Sequence, residues 1–89
     1  MAWSILIDKT ADRDLERLDQ TIRRRILHFL HGRLAKLEDP RSIGEALRGQ
    51  ELGNFWKYRV GDYRIIASIE DKKVQILVVR IGNRREVYK

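Results

Sequence analysis

Apolar residues recur along this chain with different spacings, and each spacing predicts a different element. Trp3 to Ile7 is apolar almost throughout, as expected of a short strand flanked by other strands or covered on a face. Thr10 offers a helix cap, and a first helix runs from there to about Leu18. Leu15 and Leu18 lie on one side of it, with Asp12, Arg13, Asp14, Glu16 and Arg17 on the others. Asp19-Gln20-Thr21 interrupts the pattern and supplies a new cap at Asp19. Ile22, Ile26, Phe29, Leu30, Leu34 and Leu37 then fall three and four apart, which is the apolar stripe of a second helix. That helix is expected to end at Asp39-Pro40, because proline disfavours helical geometry in the residue before it.

From Arg41 to Asn54 the periodicity disappears. Gly44, Gly49 and Gly53 alternate with isolated apolar anchors at Ile43, Leu47 and Leu52, and no element is predicted. Three strands follow, at about Phe55 to Val60, Tyr63 to Ile69 and Lys73 to Ile81. Gly61-Asp62, a strong hairpin signal, separates the first two, and the polar turn Glu70-Asp71-Lys72 separates the last two. A strand, a helical hairpin and a three-strand antiparallel meander predict an α+β domain with both helices on one face of a mainly antiparallel sheet. The other face is left partly open. The 89 residues suffice for one such domain, spanning residues 1–89, with a single modest core.

Within the strand at 55–60 the side chains alternate. Lys57 and Arg59 are two apart and share one face, while Trp56, Tyr58 and Val60 take the other, so one side is cationic and the other is core. A hairpin at Gly61-Asp62 folds Arg64 back against that strand and gathers three cations on a small surface. Trp56, Tyr58 and Tyr63 read as core or edge packing rather than stacking platforms.

Charge sharpens this picture. The formal net charge is +6, and its distribution is uneven: residues 1–40 carry 8 Lys or Arg against 7 Asp or Glu, a balance of +1, whereas residues 41–89 carry 11 against 6, a balance of +5. The excess sits with the strands, where it favours phosphate backbones through counterion release and faster encounter. A solvated surface and a site for an acidic protein fit the charge equally well. Arg23-Arg24-Arg25 wraps around its helix at about 100° per residue, so it cannot form a single binding stripe. It reads as a solvated face, with contact to an acidic partner or nucleic acid as the other reading. No run reaches the roughly 20 apolar residues of a membrane helix, and Asp8 falls where a secretory leader would continue its apolar core. A cytoplasmic protein without membrane contact is expected. Without cysteine there are no disulfides or thiolate metal sites, and His28 and His31 read as surface histidines, so neither metal nor cofactor is expected.

A polyanion site of this composition suits RNA. Cleavage without a metal requires activation of a ribose 2′-hydroxyl, stabilisation of the phosphorane and protonation of the leaving 5′-oxygen. Lys57, Arg59, Arg64 and Arg84 can stabilise charge, and Tyr88 can exchange a proton or stack on a base. Arg, Tyr and Lys are poor proton carriers at neutral pH, so chemistry on free RNA is expected to be slow and to need a platform that aligns the substrate. Against this stands the reading in which Lys57, Arg59 and Arg64 are ordinary exposed residues and Arg84 and Arg85 merely finish a strand.

Three stretches together, Leu47-Arg48-Gly49, Trp56 to Ile65 and Ile81 to Tyr88, resemble the RelE/ParE superfamily of bacterial toxin–antitoxin toxins, on the RelE side. The likeness covers nearly the whole chain. It implies a microbial RNase-like fold and an mRNA interferase that cuts translated mRNA in the A site of the 70S ribosome, leaving a 2′,3′-cyclic phosphate and a 5′-hydroxyl. On the family pattern Lys57 and Arg59 hold phosphate, Arg64 is the transition-state arginine, Arg84 serves the leaving group and Tyr88 is a base or stacking group. Arg48, Lys57, Arg59, Arg80 and Arg85 are then the RNA and ribosome contacts. This chain carries Asn83 where many relatives have His, and Arg59 where a second Lys is sometimes found. The resemblance also implies an acidic antitoxin that masks the site, with operator DNA bound only through the toxin–antitoxin complex. Two other functions share the fold: a ParE-like inhibitor of DNA gyrase, and a weakly catalytic co-repressor that works only with its antitoxin.

Overall fold

The computed structural model describes residues 2–47 and 55–83. Its elements are β1 (Ser4–Ile7), α1 (Lys9–Glu16), α2 (Gln20–Gly32), β2 (Glu45–Ala46), β3 (Phe55–Val60), β4 (Tyr63–Glu70) and β5 (Gln75–Asn83). The strands form one five-stranded sheet in the order β1-β5-β4-β3-β2. The meander β3-β4-β5 is antiparallel, and β1 adds parallel to β5, with Ser4 opposite Gln75 and Ile7 opposite Val78. The α+β architecture expected from the sequence is therefore present, with one short antiparallel strand beyond it.

Local chemistry accounts for where the helices begin. Asp8, not Thr10, caps α1: its carboxylate accepts from the Lys9 backbone N–H at 2.8 Å, and its carbonyl accepts from Asp12. The helix starts as soon as β1 ends. Asp19 caps α2 as expected, accepting from Thr21 N–H at 3.2 Å. Arg23, first of the arginine run, donates through Nη2 to the Leu18 carbonyl at the end of α1, while Arg24 and Arg25 are exposed.

The second helix stops earlier than its apolar stripe. Regular α-helix ends at Gly32, and the chain tightens into a 3-10 turn at Leu34–Lys36. Two observations explain the break: glycine is a poor helix former, and the Ala35 carbonyl accepts from Trp3 N–H at 2.7 Å. Leu34 still reaches full burial, so the stripe correctly marked core positions while overstating the helix. A further 3-10 turn, Pro40–Ile43, begins with Asp39 accepting from Arg41 N–H.

The core lies between the helices and one sheet face. Ala11 and Leu15 of α1, Ile26 and Leu30 of α2, and Leu34 pack with Tyr58, Ile65, Ala67, Ile76, Val78 and Ile81. Strand alternation and cross-strand register place Lys57, Arg59, Arg64 and Ile66 on the opposite face, together with Leu6, which is 50% exposed. Trp56 and Val60 are half-buried against the core, as the alternation requires. No helix among the described residues is long and apolar enough to cross a membrane.

Two turns refine or depart from the expectation. Gly61 adopts φ +60°, the left-handed conformation a two-residue hairpin turn needs, and Val60 pairs with Tyr63 across it. The β4–β5 link is a 3-10 turn, Asp71–Lys73, closed by Val74 in the left-handed region, so β5 begins at Gln75 rather than Lys73. Arg41 clamps this link, donating to both oxygens of Asp71 at 3.0 and 2.6 Å. Its guanidinium holds the Asp71 carboxyl below the usual carboxylate range.

Tyr58, 1% exposed, ties the 3-10 turn to the sheet by donating its hydroxyl to the Pro40 carbonyl at 2.8 Å. Burial pushes its pKa up to about 12. A neutral group whose ionisation is suppressed by folding stabilises fully below its unfolded value near 10 and loses that contribution as pH climbs toward 12. Chemical denaturation across pH 9 to 12 should therefore show stability falling by about 2–3 kcal/mol from this group. Tyr58→Phe should lose about 1–3 kcal/mol at neutral pH by orphaning the Pro40 carbonyl, and should flatten that alkaline slope.

Candidate functional site

The cationic face expected from the sequence exists as a small cleft of about 110 Å³, lined by Ile43, Glu45, Lys57, Tyr58, Arg59 and Arg64. Arg59 lies directly opposite Arg64 in the β3–β4 register, and Lys57 lies opposite Ile66. The tight Gly61-Asp62 turn is what brings the first pair face to face.

The three cations differ in their surroundings. Arg64 is only 9% exposed, and it donates through Nη1 to its neighbour's carbonyl, Tyr63 O, at 3.2 Å. Arg59 is exposed and donates from Nε to Gly61 O at 3.4 Å. Among the described residues no carboxylate forms an ion pair with either arginine. Desolvating a guanidinium without a counter-charge is costly, so Arg64 is held where an incoming anion recovers much of that cost.

Lys57 has a counter-charge, and it comes from a residue the sequence did not single out. Glu45 of β2 lies opposite Lys57 in register and contacts its Nζ through Oε2 at 3.2 Å. Sequence periodicity could not find it, because a two-residue strand is too short to show alternation. The local structure delivers it firmly nonetheless. Gly44 passes so close to the Tyr58 ring that a Cβ there would sit 2.8 Å from Tyr58 Cε1, and Tyr58 and Arg41 anchor the turn just before it. The Arg41 guanidinium also lies 5.9 Å from the centre of the Trp56 ring. Among the described residues the cleft thus holds one carboxylate with three cations.

Of the other residues predicted to contact RNA, Arg80 is not in this cleft. Register places it two strands from Lys57, through Ile66, but its Nε donates to Asp14 Oδ2 of α1 at 3.1 Å. The same oxygen accepts from Ile81 N–H at 2.8 Å. Asp14 thereby satisfies the edge of β5 beyond the last residue of β1, and it is buried in doing so. Arg48, Arg84, Arg85 and Tyr88 lie outside the described residues. Tyr58 lines the cleft, but with its hydroxyl donated to Pro40 it is no proton acceptor. Among the described residues no group of His, Asp and Glu is arranged to hold a metal ion, and His28 and His31 are exposed on α2.

Comparison with known proteins bears on what this arrangement is. Residues 5–88 match the family described as "ParE toxin of type II toxin-antitoxin system, parDE". The chain is a type II toxin of the RelE/ParE superfamily. Within that superfamily it is 32% identical to toxin RelE of Mycobacterium tuberculosis, over 98% of this chain and 87% of that protein. It is 31% identical to the mRNA interferase toxin RelE of Escherichia coli, over 99% of this chain and 92% of that protein. Its fold superposes with a TM-score of 0.86 on a chain of the toxin–antitoxin complex RelBE2 from M. tuberculosis, at 27% identity and covering 97% of this chain and 95% of that one. The toxin therefore belongs to a RelBE-type system and is homologous to the RelE interferases.

Proposed function

We propose that this toxin is an endoribonuclease that cleaves translated mRNA in the ribosomal A site and is held inactive by an acidic antitoxin. The observation that carries the reading is Arg64, a nearly buried guanidinium that lacks a carboxylate partner among the described residues and faces Arg59 and the Lys57–Glu45 pair. The relative named an mRNA interferase supports the reaction class.

In the proposed reaction the scissile phosphate enters between Arg59 and Arg64. The Glu45 carboxylate takes the proton of the ribose 2′-hydroxyl, and the 2′-oxygen forms a bond to phosphorus. Lysine and arginine hold their protons at neutral pH and cannot accept another, whereas a carboxylate can. Lys57, in contact with Glu45, keeps that carboxylate aimed into the cleft. Arg64 and Arg59 neutralise the added charge of the phosphorane. The bond to the 5′-oxygen then breaks as that oxygen takes a proton from solvent water, giving a 2′,3′-cyclic phosphate and a 5′-hydroxyl, and protonated Glu45 returns its proton to solvent. The family pattern assigns the leaving oxygen to Arg84 and makes Tyr88 either a proton acceptor or a group that stacks on a nucleobase. Among the described residues the cleft, at about 110 Å³, is too small to enclose a whole nucleotide. The ribosome supplies the alignment that so shallow a site lacks.

The antitoxin reading rests on the open cationic sheet face and on the RelBE2 complex in which the structural neighbour is found. Operator DNA is reached through that partner. A second function, inhibition of DNA gyrase, is favoured only by the ParE description of the matching family. Purified toxin added to translating ribosomes decides between them. The interferase reading requires new 5′ ends within translated codons. Intact mRNA with inhibited gyrase supercoiling transfers the function to gyrase, and operator binding without either effect marks a co-repressor.

A further inference from the structure

Arg41 does not line the cleft, yet its backbone and its side chain are both committed. Its N–H donates to Asp39 Oδ1 at 3.0 Å, and its carbonyl accepts from Gly44 N–H at 3.2 Å. Its guanidinium grips both oxygens of Asp71 and lies 5.9 Å from the centre of the Trp56 ring. Asp71 follows the last residue of β4, at the end of that strand away from the Gly61-Asp62 turn. The fork therefore joins the chain leading into β2 to the link between β4 and β5.

Stability alone does not account for this contact. The side chains of Arg41 and Asp71 are 33% and 62% exposed, and solvent-exposed ion pairs contribute little to folding. A bidentate fork supplies direction instead, because two bonds fix the plane of the guanidinium. Two routes carry that direction to Glu45. Along the backbone, the Arg41 carbonyl holds Gly44, the residue before Glu45, and Gly44 is itself seated against the Tyr58 ring. Through space, the guanidinium rests beside Trp56, whose cross-strand partner is Ala46, the residue after Glu45. β2 is only two residues long, extended by a bond from Leu47 N–H to Phe55 O at 2.9 Å. So short a strand takes its position from what anchors the chain on either side of it.

We propose that Arg41 and Asp71 are a positioning pair, which sets the reach of the Glu45 carboxylate into the cleft from the β4–β5 end of the sheet without touching RNA. The proposal rests on the role given to Glu45 in the cleavage reaction. Misplacing a reacting group by about 1 Å can cost on the order of 10² in rate, so a contact that adds little stability can still matter to catalysis.

Asp71→Asn keeps the shape of the side chain and removes the charge that holds the fork. Two measurements on the full chain read its effect. Without ribosomes, hydrogen exchange followed by NMR should show the Leu47 amide exchanging roughly tenfold faster, with the melting temperature unchanged. On programmed ribosomes, kcat should fall roughly tenfold while KM stays the same. Asp71→Glu restores the carboxylate and should recover most of that loss. Lys73→Gln, which removes a charge from the same link but pairs only with Glu70, should alter neither measurement. In a Glu45→Gln background Asp71→Asn should cost nothing more, since residues acting through one group are not additive. An equal further loss in that background would overturn the proposal, as would unchanged exchange and kcat, or a rate loss matched by a fall in melting temperature. Faster Leu47 exchange together with wild-type kcat in Glu45→Gln would instead keep the anchoring of β2 and remove the catalytic role of Glu45. If the wild type makes no cuts on ribosomes, the nuclease reading falls and the exchange measurement still decides the pair.

Discussion

Glu45→Gln should bind mRNA on the ribosome more tightly than the wild type and cut it far more slowly. The two effects have separate origins. A carboxylate beside Lys57, Arg59 and Arg64 repels the phosphate that these residues attract, so neutralising it lowers KM. In the proposed reaction the same change removes the proton acceptor, and loss of general base catalysis should lower kcat by about 10² to 10⁴. Single-turnover cleavage on programmed ribosomes separates the two parameters. Glu45→Asp keeps the acceptor one methylene short and should retain part of kcat. If Glu45 served only as a counter-ion to Lys57, the Gln variant would show the lower KM with kcat unchanged or raised, and the carboxylate would have no part in the chemistry.

Arg64→Met should abolish most cutting while leaving the protein as stable as before or more so. The side chain is nearly buried and its charge meets only a backbone carbonyl among the described residues. An apolar residue of similar length in that position avoids the desolvation cost, and buried charges replaced in this way are often neutral or stabilising. The loss of phosphorane stabilisation should cost roughly 10² to 10³ in kcat, by analogy with removal of a single preorganised donor. Arg64→Lys keeps a charge but not the planar fork and should recover only part of the activity. Thermal melts beside cleavage assays would expose the opposite case: an Arg64→Met protein that unfolds, or that cuts at the wild-type rate, would make the arginine structural.

The sequence was most legible where alternation was long enough to be read. Over Phe55 to Val60 the period of two separates Lys57 and Arg59 from Tyr58, and the structure follows it. Gly61-Asp62 fixes the hairpin because only a residue comfortable at positive φ closes so tight a turn. Reading failed where tertiary contacts decide the outcome. The end of α2 depends on a hydrogen bond between Ala35 and Trp3, which no local pattern encodes. Asp14 looked like one charge of a solvated helix face, yet it is buried because β5 outruns β1 and leaves a backbone donor to satisfy. Glu45 was invisible for a similar reason, since its role comes from pairing with a strand that begins ten residues later.

The placement of β1 beside β5 has a consequence for the order of events in a cell that makes this toxin. Ser4 is synthesised well before its partner Gln75, with both helices and three strands between them. Sheet closure around the core strand β5 must therefore wait until β5 itself has left the ribosome, whereas α1 and α2 can form earlier. Until then Arg64 lacks the strand that flanks it through Gly82, and the cationic cleft is without that support. A newly made toxin thus passes through an interval in which that cleft is unfinished, during which an antitoxin already present can be waiting for it.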